Sequence, residues 1–375
     1  MAGGSFVVTF LFYVFLSMGS SSAVVTLEEK HLSMAFEEGY TQLFGDGNLM
    51  LLGDGKTVHI ALDERTGAGF ASQDLYLHGF FSASIKLPSD YAAGVVVAFY
   101  KTHDELDFEF LGNIRGKEWR IQTNVYGNGS TATGREERYE LWFDPTEDYH
   151  RYSILWSENL IVFYVDGTPI REIIRNEAMA REFPAKPMSL YATIWDGSSW
   201  ATSGGRYKVD YRRAPYVAEF ADLVLSGCVV NPIDHSPACG SATALRRRGA
   251  PAISPAQRRA MEGIRLKHMT YSYCYDRQRY PVAPPECVVD PMRLRGSAGA
   301  TAAEAAAAVR PSLRVAPTQL SEAPLFHILL PLLYRENSTI TRGDCFGLCH
   351  RRHHWFLVLP SSLGFYVRIR SLLFE

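Results

Sequence analysis

The sequence predicts an all-β protein built from two sheets, packed as a sandwich or closed as a barrel. Three observations carry that prediction. Between about Val25 and Leu225 the apolar residues alternate or run in short blocks and do not recur at helical spacing. Turn dipeptides interrupt those blocks at frequent intervals. Strand–helix alternation and a glycine-rich phosphate loop are both missing, which argues against a parallel α/β sheet.

Taken in order, the chain opens with an apolar run, Phe6 to Leu16, followed by the small residues Ser17 to Ala23. This reads as a signal peptide over residues 1–23 with cleavage after Ala23; the run is too short to span a bilayer. Phe80, Ser82 and Ser84 then alternate with Phe81, Ala83 and Ile85, and Gly94 to Tyr100 is a buried-strand run. Asp144-Pro145 marks a break, Tyr152–Trp156 and Leu160–Val165 read as strands, and Asp166-Gly167 supplies a hairpin turn.

After Cys228 the texture changes. Pro255 to Lys267 predicts a short helix, with Ser254 as N-cap and Pro255 at the first helical position. Its Arg258, Arg259, Arg265 and Lys267 read as a solvated basic face. From about Met292 fold signals stop: Ala298–Ala308 is alanine-rich, and Phe326–Tyr334 is apolar but too short to cross a membrane. Cys345, Cys349 and His350–His354 have metal-binding side chains but no fold signal around them. The expected organisation is a leader (1–23), a β-sandwich (24–225), an extension (226–292) and a low-complexity or disordered tail (293–375).

A formal net charge of −2 over 375 residues gives no basic bias toward nucleic acid and no acidic tail. Aromatic residues make up 13% of the chain, enough to supply flat binding surfaces as well as core. Cys228 with Cys239 and Cys274 with Cys287 form close couples, which in a secreted chain suggest two disulfides closing small loops. A zinc site is the rival reading, but none of the four belongs to a C-x-x-C unit.

The most informative stretch is His103-Asp-Glu-Leu-Asp-Phe-Glu-Phe110. On a strand Glu105, Asp107 and Glu109 point one way and Leu106, Phe108 and Phe110 the other. Three carboxylates on one face of an apolar strand repel each other and resist burial, so packing alone does not select them. Retaining glycoside hydrolysis does call for carboxyl groups about 5–5.5 Å apart, one as nucleophile and one as acid/base. Glu105 and Glu109 have Cα atoms about 13 Å apart on a strand, a gap their side chains narrow by leaning together. An acidic edge-strand face and a calcium site are the alternatives.

The segment resembles the H-D-E-I-D-F-E-F-L-G signature of xyloglucan endotransglucosylase/hydrolases in glycoside hydrolase family 16, with Leu106 in place of Ile. The resemblance runs from about Glu37 to Pro291. It includes Gly112-Asn113, Gln122-Thr-Asn124-Val-Tyr126, Arg135-Glu-Glu137, Leu141-Trp-Phe-Asp-Pro145, Phe163-Tyr-Val-Asp-Gly167, Trp200-Ala-Thr202, Tyr273-Cys-Tyr-Asp-Arg277 and Pro284-Pro-Glu-Cys287. It implies a curved two-sheet β-sandwich (jelly roll, concanavalin-like) with a short disulfide-closed C-terminal extension. It further implies Glu105 as nucleophile, Glu109 as acid/base and Asp107 as helper between them. The implied substrate-binding residues are His103, Gln122, Thr123, Asn124, Arg135, Glu136, Trp195, Ser199, Trp200, Gly204 and Arg277. Asn128-Gly-Ser130 is a glycosylation sequon where such proteins often carry one.

The activity implied is cleavage of a β-1,4-glucan backbone and its transfer from a xyloglucan donor to a xyloglucan or oligosaccharide acceptor, in the cell wall and apoplast. No metal or organic cofactor, nucleic acid or membrane is expected, and the chain is expected to act as a monomer. An endohydrolase using the same residues and a non-catalytic glucan-binding lectin are the alternatives. The chain departs from the resemblance in having only Lys101-Thr102 between Tyr100 and His103, where several more residues are usual. Lys-Thr is poor chemistry for a two-residue hairpin.

Overall fold

A computed structural model describes residues 33–53, 55–102, 104–231, 233 and 253–288, together with three short strands nearer the C-terminus. The leader, His103, Cys239, the alanine-rich run, Phe326–Tyr334 and Cys345 lie outside the described residues.

Two antiparallel sheets face each other. The first orders its eight strands as β1 (Tyr40–Phe44), β4 (Ala68–Ser72), β13 (Ser189–Asp196), β6 (Val95–Thr102), β7 (Glu105–Leu111), β8 (Arg120–Tyr126), β9 (Glu137–Glu140) and β15 (Met269–Ser272). The second orders seven as β12 (Thr168–Ile174), β11 (Leu160–Val165), β10 (His150–Trp156), β5 (Leu75–Lys86), β14 (Tyr216–Val230), β3 (Thr57–Leu62) and β2 (Leu49–Leu52). Among the described residues this unit also carries two α-helices, the one-turn α1 (Phe36–Gly39) and α2 (Pro255–His268). A separate unit, residues 313–375, contains the strands β16 (Leu348–Arg351), β17 (His354–Leu357) and β18 (Arg368–Ile369), paired in that order.

Alternation puts one face of each strand into the core between the sheets. Leu106, Phe108 and Phe110 of β7 are fully buried there. The Phe108 ring lies 5.2 Å from Phe163 and 5.7 Å from Tyr152, and Phe110 lies 4.6 Å from Tyr152, all edge to face. Each such side chain contributes on the order of 1.5–3 kcal/mol by leaving water. This anchoring holds the opposite, carboxylate-bearing face of β7 in register. Phe80, Leu155, Val162, Tyr164 and Val224 form a second apolar cluster with Ile253 and Met261, the latter from α2.

α2 begins where the sequence predicts. Ser254 Oγ accepts from the Gln257 N–H at 3.2 Å, and the Gln257 side chain accepts from the Ser254 N–H at 2.9 Å, a reciprocal capping box. Its basic face is not merely solvated, which corrects the reading above. Arg258 pairs with Glu172 at 2.8 Å, and Arg265 grips both oxygens of buried Glu137 at 2.5 and 2.7 Å. Those acids are buried in the sandwich and require cations beside them. The extension also adds β15 to the edge of the first sheet and is closed by a Cys274–Cys287 disulfide. Cys228 is disulfide-bonded as well.

The tight connection ahead of β7 is not at Lys101-Thr102. Both residues stay in β6, with Lys101 opposite Leu106 and Tyr100 opposite Asp107, so the chain reverses between Thr102 and Glu105. This register keeps Phe99 opposite Phe108 in the core. It also carries Lys101 inward, where the side chain is fully buried.

Candidate active site

The site is the outward face of β13, β6, β7, β8 and β9. The pairing register lines up Tyr191, Tyr100, Asp107 and Asn124 in one row, and Thr193, Ala98, Glu109, Gln122 and Arg138 in the next. A third row holds Trp195, Val96, Leu111 and Arg120. Because strand period and register are fixed by the apolar core, three carboxylates, two amides and an arginine converge without help from loops.

Glu105 is half-buried at the start of β7, whereas Asp107 and Glu109 are fully buried. Burial pushes the Asp107 carboxyl well above the usual range, and the charges of Glu105 and Glu109 and a hydrogen bond shared with Glu105 push it the same way. These effects favour the protonated form of Asp107 beside its neighbours. Burial also raises Glu109, to about 7, against a hydrogen bond from Gln122 and the charge of Arg138, which lower it, and Glu136, which raises it. Gln122 Nε2 donates to Glu109 Oε2, and Gln122 Oε1 accepts from Arg138 Nε at 2.6 Å. Asn124 Oδ1 accepts from the backbone N–H groups of Val125 and Arg135, each at 2.8 Å.

The other expected site residues are placed as follows. Trp195 is half-buried, its ring centroid 6.1 Å from that of Trp200, and both pack against Val96 and Leu111. Ser199 and Gly204 are exposed in the segment after β13, with Gly204 at φ 67°, a left-handed value that suits glycine. Asn128 is exposed at a turn after β8. Thr123 lies on the opposite face of β8, where its hydroxyl accepts from Arg171 at 2.9 Å. The guanidinium of Arg135 is buried between Glu182 and Glu286. Glu136 is buried against Arg279 at 2.5 Å, while Arg277 is exposed.

Sequence reasoning missed Asp104, Arg138, Glu137 and Arg279. Asp104 is buried after the reversal, with Oδ1 accepting from the Gly129 N–H at 2.7 Å and Oδ2 from the N–H groups of Ala185 and Lys186 at 2.7 and 3.0 Å. One carboxylate thus ties the β6–β7 turn to two other segments. Arg138 could have been found, since it sits two residues beyond Glu136 and therefore faces the same way.

A two-sheet sandwich carrying alternating carboxylates on its outward face is the arrangement expected of a β-sandwich glycosyl hydrolase. The sequence profile of glycosyl hydrolases family 16 matches residues 36–213, and that of the xyloglucan endo-transglycosylase C-terminus matches residues 241–287. The chain is 60% identical to the probable xyloglucan endotransglucosylase/hydrolase protein 28 of Arabidopsis thaliana, over 76% of its own length and 88% of that protein. It is 65% identical to probable protein 27 of the same plant, over 70% and 82% of the two chains. A solved prokaryotic β-1,3-1,4-glucanase (lichenase), derived from a mouse hindgut metagenome, aligns with 53% of this chain and 97% of its own at 23% identity, with a TM-score of 0.42. The chain belongs to the xyloglucan endotransglucosylase/hydrolase family.

Proposed function

We propose that this protein is a xyloglucan endotransglucosylase that works by a retaining, covalent mechanism. The observation that carries the reading is the Glu105, Asp107, Glu109 row: one half-exposed carboxylate, one pushed toward its protonated form and one raised to about 7.

Glu105 attacks the anomeric carbon of a glucosyl unit in the donor backbone. The bond from that carbon to the glycosidic oxygen breaks, and Glu109 gives its proton to the departing oxygen. Gln122 occupies Glu109 Oε2, while Oε1 has no hydrogen-bond partner among the described residues and serves as the proton-bearing atom. Protonated Asp107 shares its hydrogen with Glu105, steadying the nucleophile before attack and the leaving carboxylate afterwards. In the second step Glu109, now ionised, takes the proton from a hydroxyl of an acceptor sugar. That oxygen bonds to the anomeric carbon and releases Glu105. A group near pH 7 suits both jobs, as acid first and base second.

Trp195 and Tyr191, the latter stacked on buried Tyr100 at 5.3 Å between centroids, provide flat surfaces along the same face for an extended glucan. None of these steps calls on a metal or organic cofactor. The disulfide Cys274–Cys287 supports action outside the cytosol, in the wall space where the polymer lies.

The test is product analysis with xyloglucan and a fluorescent xyloglucan oligosaccharide. Label moving into polymer-sized product is expected. New reducing ends without label incorporation would make the protein a hydrolase, and binding with neither would make it a lectin.

A further inference from the structure

The carboxylate-bearing face holds a chain of side chains that runs from the extension to Glu109. Gln122 is an asymmetric amide, and only one of its two orientations presents an N–H to the Glu109 carboxylate; the other would set oxygen against oxygen. Arg138 decides between them. Its guanidinium is donor-only, and Nε points at Gln122 Oε1 at 2.6 Å, which leaves Nε2 for Glu109. Arg138 is itself buried and placed by the extension. Tyr271 of β15 is its register partner across the edge of β9, and the Arg138 guanidinium lies 5.5 Å from the centroid of the Tyr271 ring. The Tyr271 hydroxyl donates to Asp276 at 2.9 Å, fixing the ring from the far side.

We propose that Arg138 is a positioning residue for the general acid/base, acting through Gln122 on Glu109, and that the C-terminal extension sets its position through Tyr271. The inference rests on Glu109 having the acid/base role proposed above. It gives the extension a part in tuning the proton-transfer group, in addition to packing.

The groups facing Glu109 fix the sign of the effect. Glu105 and Asp107 share its strand, Gln122 faces it from β8, Arg138 from β9 and Glu136 from the segment before β9, while its register partner on β6 is the uncharged Ala98. The Gln122 hydrogen bond and the Arg138 charge favour the ionised carboxylate; burial and Glu136 oppose it. Around Arg138 itself stand Glu136, Glu109, Tyr271 and, as a like charge, Arg120. Losing Arg138 removes one cation and frees the amide to turn, and both changes keep Glu109 protonated to higher pH.

The experiment is the pH profile of kcat/KM on the full chain with xyloglucan. Arg138→Met is expected to move the basic limb upward by about one pH unit; because the acceptor step needs ionised Glu109, kcat and KM at neutral pH should fall together by about fivefold, with kcat/KM not reduced. Arg138→Lys, which keeps a cationic donor, should hold the limb near its wild-type position. Tyr271→Leu should move it in the same direction as Arg138→Met by a smaller step. Arg258→Gln, which loosens α2 of the same extension at Glu172, should leave the limb in place. If Arg138→Met fails to fold, the contrast between Arg138→Lys and Tyr271→Leu carries the test. An unmoved limb in Arg138→Met, or in Tyr271→Leu where only that variant folds, overturns the proposal. The underlying assignment is read separately with Glu109→Ala. That variant should lose turnover of xyloglucan yet still release phenolate from a 2-chloro-4-nitrophenyl β-glycoside of a xyloglucan oligosaccharide, whose leaving group needs no proton. If Glu109→Ala cleaves xyloglucan normally, the acid/base role fails and the relay with it. If it behaves as expected while the limb stays fixed, only the relay fails.

Discussion

The Nζ of Lys101 lies 3.5 Å from the centroid of the Phe81 ring, between the two sheets. Tyr76 and Trp156 lie 5.3 and 5.9 Å away, and no hydrogen-bond acceptor reaches the amine among the described residues. A desolvated cation over an aromatic face gains about 2 kcal/mol, less than the several kcal/mol that burying an ion costs. Burial therefore wins and pushes the Lys101 amine well below its ordinary range.

Lys101→Met should raise the melting temperature, because it fills the same space without an unpartnered polar atom. A gain of about 1–3 kcal/mol is expected. The gain should also depend on pH. The unfolded chain binds a proton that the folded chain resists, so wild-type stability rises as pH climbs toward the unfolded lysine value. The advantage of Lys101→Met should accordingly shrink between neutral pH and about pH 10. A constant gap across thermal melts in that range would show that the amine is solvated.

Glu105→Ala should abolish turnover while leaving glucan affinity nearly unchanged, since the nucleophile acts in bond-making. Calorimetric titration with xyloglucan oligosaccharides, alongside the transfer assay, separates the two effects. More than a small residual rate would remove Glu105 from the role proposed for it.

Asp104→Ala removes the acceptor from three N–H groups, those of the exposed residues Gly129, Ala185 and Lys186, which water can then reach. A loss of about 1–2 kcal/mol is expected from denaturant titration. Activity should fall with it, because the same carboxylate fixes the reversal that leads into Glu105. Asp104→Asn, which still offers one acceptor oxygen, should recover part of both.

Glu137 is the buried acid gripped by α2. Burial alone would raise its carboxyl, but Arg265 and Arg171, with a hydrogen bond from Tyr139, hold it at about 2. A depressed folded value adds stability that is present above the unfolded carboxylate range and is lost as pH falls from about 4.5 toward 2. Glu137→Gln should therefore cost about 3–5 kcal/mol at neutral pH by leaving two cations short of a partner. Its acid-denaturation curve should be flatter than that of the wild type in the same window.

Much of this was legible in the chain itself. The alternation of Leu106, Phe108 and Phe110 with the three carboxylates requires one apolar and one acidic face, whatever the fold around them. Ser254, Pro255 and Gln257 likewise specify a helix start by local hydrogen bonding alone. The positions of Lys101, Asp104 and Arg265 were not legible, because each depends on partners distant in sequence. Lys101 resembles a turn residue until the Phe99–Phe108 register draws it inward. Arg265 resembles a solvated charge until Glu137, far from it in sequence, is found buried beneath it.

The pairing of β15 with β9 bears on how the protein is made. The first and last strands of the eight-stranded sheet, β1 and β15, are its two edges, so a nascent chain emerging from the ribosome completes β9 long before β15 exists. Until residues 269–272 arrive, β9 offers an open edge to other chains, and Glu137 lacks the Arg265 cation from just upstream. The sheet that bears the carboxylates therefore closes only late in synthesis, by a long-range pairing of the kind that folds slowly.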